Sequence, residues 1–244
     1  PLAALLRLVR LGPILMLMAI ALALSFMTPL FLRPSNLFNV GLAASVVAIL
    51  ALGQLFVIMT AGIDLSVGSL TALASVSAAL LVVDTDLPGW LMIPIMIVVG
   101  GLAGGVSGTL YVKGKIPHPF LPTLAMLMAA RGLALLFSGG QPITGLPDSV
   151  RWVGSGRIGP VPASVVVVAI VVALAYLALS RLKWGAWVKA IGGNKEAARR
   201  VGIPVDGVLI SVYVVSGVSA GVAAIILAGQ TNSAYPTMGQ NIEL

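Results

Sequence analysis

No cysteine occurs in the 244 residues, and histidine occurs once, at His118. Disulfides and thiolate metal sites are thereby excluded, and a histidine-based metal cluster lacks ligands. Charge is equally scarce. Asp, Glu, Lys and Arg together make up 9% of the chain, against about 25% in an average soluble domain, so no water-facing surface can be assembled from this inventory. There is no G-x-x-x-x-G-K-[ST] loop to cradle nucleotide phosphates. Paired carboxylates, a nucleophile beside a histidine and a metal-ligand set are likewise missing, which disfavours an integral membrane enzyme acting on a lipid-linked substrate.

What is abundant is hydrocarbon. Apolar residues make up 59% of the chain and the mean hydropathy is +1.10. The natural unit is then the membrane span of about 20 apolar residues. Uncharged runs predict helices near 12–32, 40–60, 66–83, 90–112, 120–137, 162–180 and 207–229. The fold class expected is all-α, a polytopic transmembrane bundle with at least one broken or re-entrant helix around 60–68, in one domain over 1–244. The run "SVVVVAIVVALAYLAL" at 164–179 would read as strand in water, but it is too long, and too uniformly apolar, for a barrel strand. Arg7 and Arg10 precede the first run, which contains an "ALALS" pattern that could pass for a cleavage site. The run continues to Leu32, longer than a signal segment of about 7–15 apolar residues, and reads as a retained span.

The net charge of +7 is scattered between apolar runs, which excludes a nucleic-acid footprint. It reports sidedness instead. With the N-terminus cytoplasmic, the inner segments hold Arg7, Arg10, Lys113, Lys115, Arg181, Lys183, Lys189, Lys195, Arg199 and Arg200, and the outer ones Arg33, Arg151 and Arg157. Asp84, Asp86 and Asp148 fall outside too, with Trp90 and Trp152 where an interfacial belt would sit. "GGLAGGVSG" (100–108) and "SGVSAGVAA" (216–224) carry the small-xxx-small spacing of close helix packing.

Polar residues inside such a bundle are the candidate site. "AGIDLSVGS" (61–69) interrupts two apolar arms with Gly62, Asp64, Ser66 and Gly68, the composition of a broken helix, which in transporters builds sites and gates. Asp64 reads either as a cap for an arm starting near Leu65, with Ser66 as a second acceptor, or as a group in the passage. Arg131 sits well inside the fifth span, where an unpaired cation is costly. Its partner by type is Asp64, as a structural pair or as part of a pathway. Gln54 is a third candidate, although one amide can serve simply to bond a neighbouring helix. His118, between two prolines in "KIPHPF", reads as a loop residue. Residues 181–206 form the longest polar stretch: "GGN" reads as a turn, Asn194 as an N-cap, and "KEAARR" as a short helix that "GIP" stops. Glu196 in its first turn and Arg199 and Arg200 in its last complement the helix dipole. Such a knob offers itself to a cytoplasmic partner, or to anionic lipid through its arginines.

The stretches "GQLFVIMTAGIDLSVGS" (53–69), "PFLPTLAMLMAARGLALLFSGGQPI" (119–143), "AIGGNKEAARRVGIPV" (190–205) and "LAGQTNSAYPTMGQNIEL" (227–244) together resemble the permease subunits of bacterial ABC importers for ribose and related sugars. The resemblance implies a multi-pass subunit of the bacterial inner membrane, paired with a second permease subunit as homo- or heterodimer. It implies a cytoplasmic ATPase that holds ATP and Mg, so that this chain binds no cofactor, and a periplasmic sugar-binding protein that delivers the solute. Gly192, Gly193, Asn194, Glu196, Ala197, Ala198, Arg199 and Gly202 would form the segment that docks on the ATPase, and the break at Gly62 to Gly68 would line the passage. Family members continue past "YEL"-like residues into further spans, so the resemblance also implies a C-terminally shortened chain. A secondary carrier using Asp64 and Arg131 as a charge pair is the alternative.

Overall fold

The computed structural model describes residues 2–85 and 87–242, with side chains from Leu11 onward. Asp86, and the side chains of Arg7 and Arg10, used above for sidedness, lie outside the described residues, as do Glu243 and Leu244 of the last resembling stretch. Two compact units result, residues 1–41 and 42–244.

In the first unit, α1 runs Leu2–Met27 and stops where Thr28 meets Pro29, because the residue before proline is pushed out of helical geometry. Residues 28–33 are turn rather than the end of a span reaching Leu32. Asn36 Nδ2 closes the turn on the carbonyl of Phe31 at 2.8 Å. Helix α2, Pro34–Met59, begins six residues before the expected 40, since Pro34 is preorganised for a first helical position.

The second unit holds the rest of α2 with α3 (Val67–Val83), α4 (Met92–Lys113), α5 (Phe120–Ser138), α6 (Asp148–Ser155), α7 (Ala163–Arg181), α8 (Lys183–Gly193), α9 (Lys195–Arg200) and α10 (Val205–Thr231). Among the described residues, five helices are at least 18 residues long and apolar enough to cross a membrane: α2, α4 with its preceding turn, α5, α7 and α10. Leu11–Met27 and Val67–Val83 are shorter apolar helices. The result is the all-α polytopic bundle that the runs predict. Two-residue strands supplement it, β1 (Ile143–Thr144) with β4 (Ser233–Ala234) and β2 (Arg157–Ile158) with β3 (Val161–Pro162), both antiparallel.

The centre of this unit is the α4–α10 pair. Gly100, Gly104 and Gly108 recur at four-residue spacing on α4. A methyl group at Gly100 would stand 2.2 Å from the Gly217 carbonyl, and one at Gly104 would stand 2.2 Å from that of Tyr213. The helices therefore meet backbone to backbone, and the small-residue motifs are spent on packing. α3 lies against this pair and is buried along nearly its whole length. Its hydroxyls turn back onto the helix: Ser69 to the carbonyl of Ser66, Thr71 to Val67, Ser75 to Ala72.

The loops sort into two ends. At one, Ser149 Oγ donates to the carbonyl of Gly89 at 3.2 Å and β1 pairs with β4, which joins the loops after α3, α5 and α10. Trp90 and Trp152 are exposed there. At the other, Lys195 Nζ lies 5.3 Å from the Tyr111 ring centre, and Lys115, Arg199 and Asp206 line one cavity, which joins the loops after α4 and α7. The basic residues 113–115 and 181–200 share this second end. Residues 181–206 are mostly helical here. Gly192 and Gly193 are not a turn but the last residues of α8, and the chain bends only at Asn194, with φ −159° and ψ 105°.

Candidate functional site

Helix α2 ends by a specific device. The N–H of Gly62 bonds the carbonyl of Val57 at 3.0 Å and that of Ala61 bonds Ile58 at 2.9 Å, with Ala61 at φ 58°. This is a Schellman motif, with alanine in the left-handed position where glycine costs least. Gly62 serves a different need. A Cβ there would stand 2.8 Å from Tyr213 Oη and 3.2 Å from the Val57 carbonyl, so only a bare Cα lets the chain leave α2 against α10. Residues 62–66 are irregular, and α3 begins at Val67.

Asp64 is fully buried inside this break. Its Oδ1 accepts from Ser66 N–H at 2.9 Å and Ser66 Oγ at 2.5 Å, and its Oδ2 accepts from Ser216 Oγ at 2.7 Å. The expected helix cap is thus shifted. Ser66, not Asp64, occupies the N-cap position and makes no side-chain cap bond, while Asp64 ties the break to itself and to α10. Its backbone carbonyl accepts from Gln54 Nε2 of α2. Ser216 lies eleven residues beyond Val205, about 16 Å along α10 at about 1.5 Å per residue, roughly half of a hydrocarbon core of about 30 Å.

Beside the break is a cavity of about 360 Å³ lined by Gln54, Ile58, Ile63, Asp64, Leu65 and Ile242 with one face of α2. Its volume falls within the range of small-molecule sites, but its polar lining is slight. Asp64 gives its carboxylate oxygens to serines, leaving the Gln54 amide as the uncharged polar side chain at the wall.

Arg131 does not meet Asp64. Its Nη1 donates to the carbonyls of Pro236 and Met238 at 2.6 and 3.0 Å, and the ion pairs among the described residues are Arg151–Asp148, Arg199–Glu196 and Arg199–Asp206. Two main-chain carbonyls, and not Asp64, accept these bonds from the intramembrane cation. What they position is the segment after β4, which turns inward. Met238 is fully buried and Gly239, at φ 67°, comes so close to α3 that a Cβ would stand 2.7 Å from the carbonyl of Gly68. Gly68 itself is helical and buried. His118 is an exposed loop residue whose Nδ1 accepts from Phe120 N–H.

At the basic end, Asn194 caps α9 as its sequence suggests, its Oδ1 accepting from Ala197 N–H at 2.9 Å. Lys195, Glu196, Ala197, Arg199 and Arg200 are exposed, and Ala198 is buried on Val188, Ile191, Val205 and Val208. Arg199 holds Asp206 at 2.8 Å and Glu196 at 3.7 Å. Gly202, at φ 83°, closes the helix with Ile203 N–H on Ala198. Gly193 faces open space, but a Cβ on Gly192 would stand 1.8 Å from the carbonyl of Met59, the last residue of α2. The end of α8 therefore rests on the helix end from which the break departs.

Sequence reasoning did not single out Ala61, Ser216, Tyr213 or the contact of Gly192 with Met59. Ser216 stood within a small-residue motif read only as packing, and the others depend on neighbours far along the chain.

A profile of the family described as branched-chain amino acid transport system, permease component, matches residues 36–244. The chain is 37% identical over 224 residues to the ribose import permease protein of Haemophilus influenzae, covering 90% of this chain and 69% of that one. It is 38% identical over 245 residues to the Bacillus subtilis protein of the same name, covering 96% and 73%, and 33% identical over 215 residues to the D-allose transport system permease protein of Escherichia coli, covering 87% and 65%. No solved structure matches the chain.

Proposed function

This chain belongs to the permease-component family of membrane transport systems, a multi-pass transport subunit and not an enzyme, and on that premise we propose that it passes a sugar, ribose or a close relative, across a bacterial inner membrane as one of two paired permease subunits. A separate cytoplasmic ATPase holds ATP and Mg, and a periplasmic binding protein delivers the solute. The basic end faces the cytoplasm, in keeping with the excess of Lys and Arg in its loops, and a cytoplasmic N-terminus is part of the same proposal.

The observation that carries this reading is the contact between Gly192 and the carbonyl of Met59. It joins two regions of separate character, an exposed capped helix at the basic end and an irregular segment about halfway through the bundle. A partner gripping α9 displaces α8, and α8 bears on the one helix end that leads into non-helical backbone. Backbone that is already irregular, and is held by a few side-chain bonds at Asp64, rearranges more readily than a helix interior. The slight polarity of the cavity fits a conduit: a solute with many hydroxyls finds one amide there, so selection falls to the binding protein. The carrier alternative loses its centrepiece, since Asp64 and Arg131 engage different partners.

The test is uptake by cells expressing the permease with its ATPase and binding protein. ATP depletion stops uptake and an ionophore at constant ATP leaves it unchanged; the opposite pair of results refutes the reading. Glu196→Arg on the exposed face of α9 releases the ATPase in a pull-down, and retention at wild-type level removes α9 from the interface.

A further inference from the structure

Tyr213, on α10, is buried to 1% exposure, and its Oη finds no hydrogen-bond partner among the described residues. A buried hydroxyl left unpaired is unfavourable, and phenylalanine would fill the same space without that cost. Packing in this state therefore does not account for the oxygen. Its surroundings do suggest a use. Oη sits 2.8 Å from the position of a Gly62 Cβ, against the start of the break. One turn further along the same face of α10, Ser216 donates to Oδ2 of Asp64, the sole donor to that oxygen among the described residues. A carboxylate oxygen can accept a second bond, and Ser216 stands three residues from Tyr213 on α10.

The ring makes a second connection. Tyr213 and Tyr111 of α4 meet edge to face, with centroids 6.0 Å apart at 64°, and Lys195 of α9 places its ammonium 5.3 Å from the Tyr111 ring centre. A chain of three contacts runs from α9 to the break, separate from the route through Gly192. Aromatic pairs and cation–π contacts have preferred geometries, so a displacement of α9 alters the seat of Tyr213.

We propose that Tyr213 is a positioning residue of the transport cycle: its hydroxyl is unpaired in the state described here and donates to Oδ2 of Asp64 when residues 60–66 shift, holding the second arrangement of the break. Asp64 and Ser216 fasten the break in the present state, and Tyr213 supplies the fastening of the other. The inference rests on the permease reading above.

The test is Tyr213→Phe in the assembled importer, reconstituted in proteoliposomes with ATPase and binding protein, together with the thermal unfolding of the purified permease. At saturating ribose-loaded binding protein, turnover falls about fivefold, the worth of one net hydrogen bond of about 1 kcal/mol. Half-saturation by the binding protein does not change, and the melting temperature stays level or rises, because the hydroxyl has nothing to lose in the resting state. Tyr176→Phe, at an exposed tyrosine of α7 outside this chain of contacts, leaves turnover as it was. Unchanged turnover in Tyr213→Phe overturns the inference. So does a lowered melting temperature, whichever way uptake behaves, since it would show the hydroxyl already bonded at rest. Absence of ATP-driven uptake in the wild type refutes the permease reading itself, a separate outcome.

Discussion

Replacing Gly192 by alanine adds one carbon at the point where α8 meets the end of α2. With the backbone fixed, that carbon would stand 1.8 Å from the Met59 carbonyl oxygen, so the two helices must separate by roughly 1.5 Å to reach ordinary contact. Neither neighbour can turn aside, because the obstacle is main chain. The separation also loosens Val188 and Ile191 from Phe56 and Val57, all buried in one cluster. Overpacking of this kind costs about 1–3 kcal/mol; at about 2 kcal/mol the melting temperature of the purified protein falls by roughly 4–8 °C. ATP-driven uptake falls further than stability alone accounts for, because the contact is the proposed route from the ATPase to the break. Gly193→Ala is the matched control. It faces open space inside the same helix, and alanine there is neutral or stabilises by up to about 1 kcal/mol. Equal behaviour of the two variants, in melting and in uptake, would refute the reasoning.

Three further outcomes follow from the same geometry. Asp64→Ala strands the Ser66 N–H, Ser66 Oγ and Ser216 Oγ donors and costs about 3 kcal/mol or more, whereas Asp64→Asn retains an acceptor and costs less; equal melting temperatures for the two would contradict the assignment. Ala61→Gly relieves a left-handed alanine and stabilises by about 1 kcal/mol, read as a higher melting temperature. Arg131→Gln removes the donors to Pro236 and Met238, and hydrogen exchange then quickens in residues 235–240 while α4 and α10 stay protected; uniform exchange across the chain would count against a local role.

Much of this was legible from local chemistry. The break at 60–66 shows in the sequence because Gly62, Asp64 and Ser66 stand together where an apolar helix would need none of them. The α9 cap shows because Asn194 and Ala197 are three residues apart. Arg131 was recognisable as a cation needing a partner, but its partners lie 105 and 107 residues away, and the choice of carbonyls over Asp64 is set by where the chain returns after β4. Helix α8 was hidden because "KWGAWVKAIGG" mixes charge, aromatics and glycine, and glycine reads as a turn. Two of these glycines answer to packing against α7 and α2: a Cβ on Gly185 would collide with the Ala178 carbonyl and one on Gly192 with that of Met59.

The glycine seam between α4 and α10 limits how this protein can change shape. Two helices whose main chains touch at Gly100, Gly104 and Gly217 cannot slide by a fraction of a turn without driving a bulkier residue into the seam, so they travel as a single keel. Any opening and closing has to be assigned to the lighter rigging around it, the α2–α3 break and the sparsely covered α7, whose buried residues are Ala163, Ser164 and Ala175. A tether fastening α4 to α10 would then go unnoticed by the transported solute, while one fastening α7 to the keel would stop it.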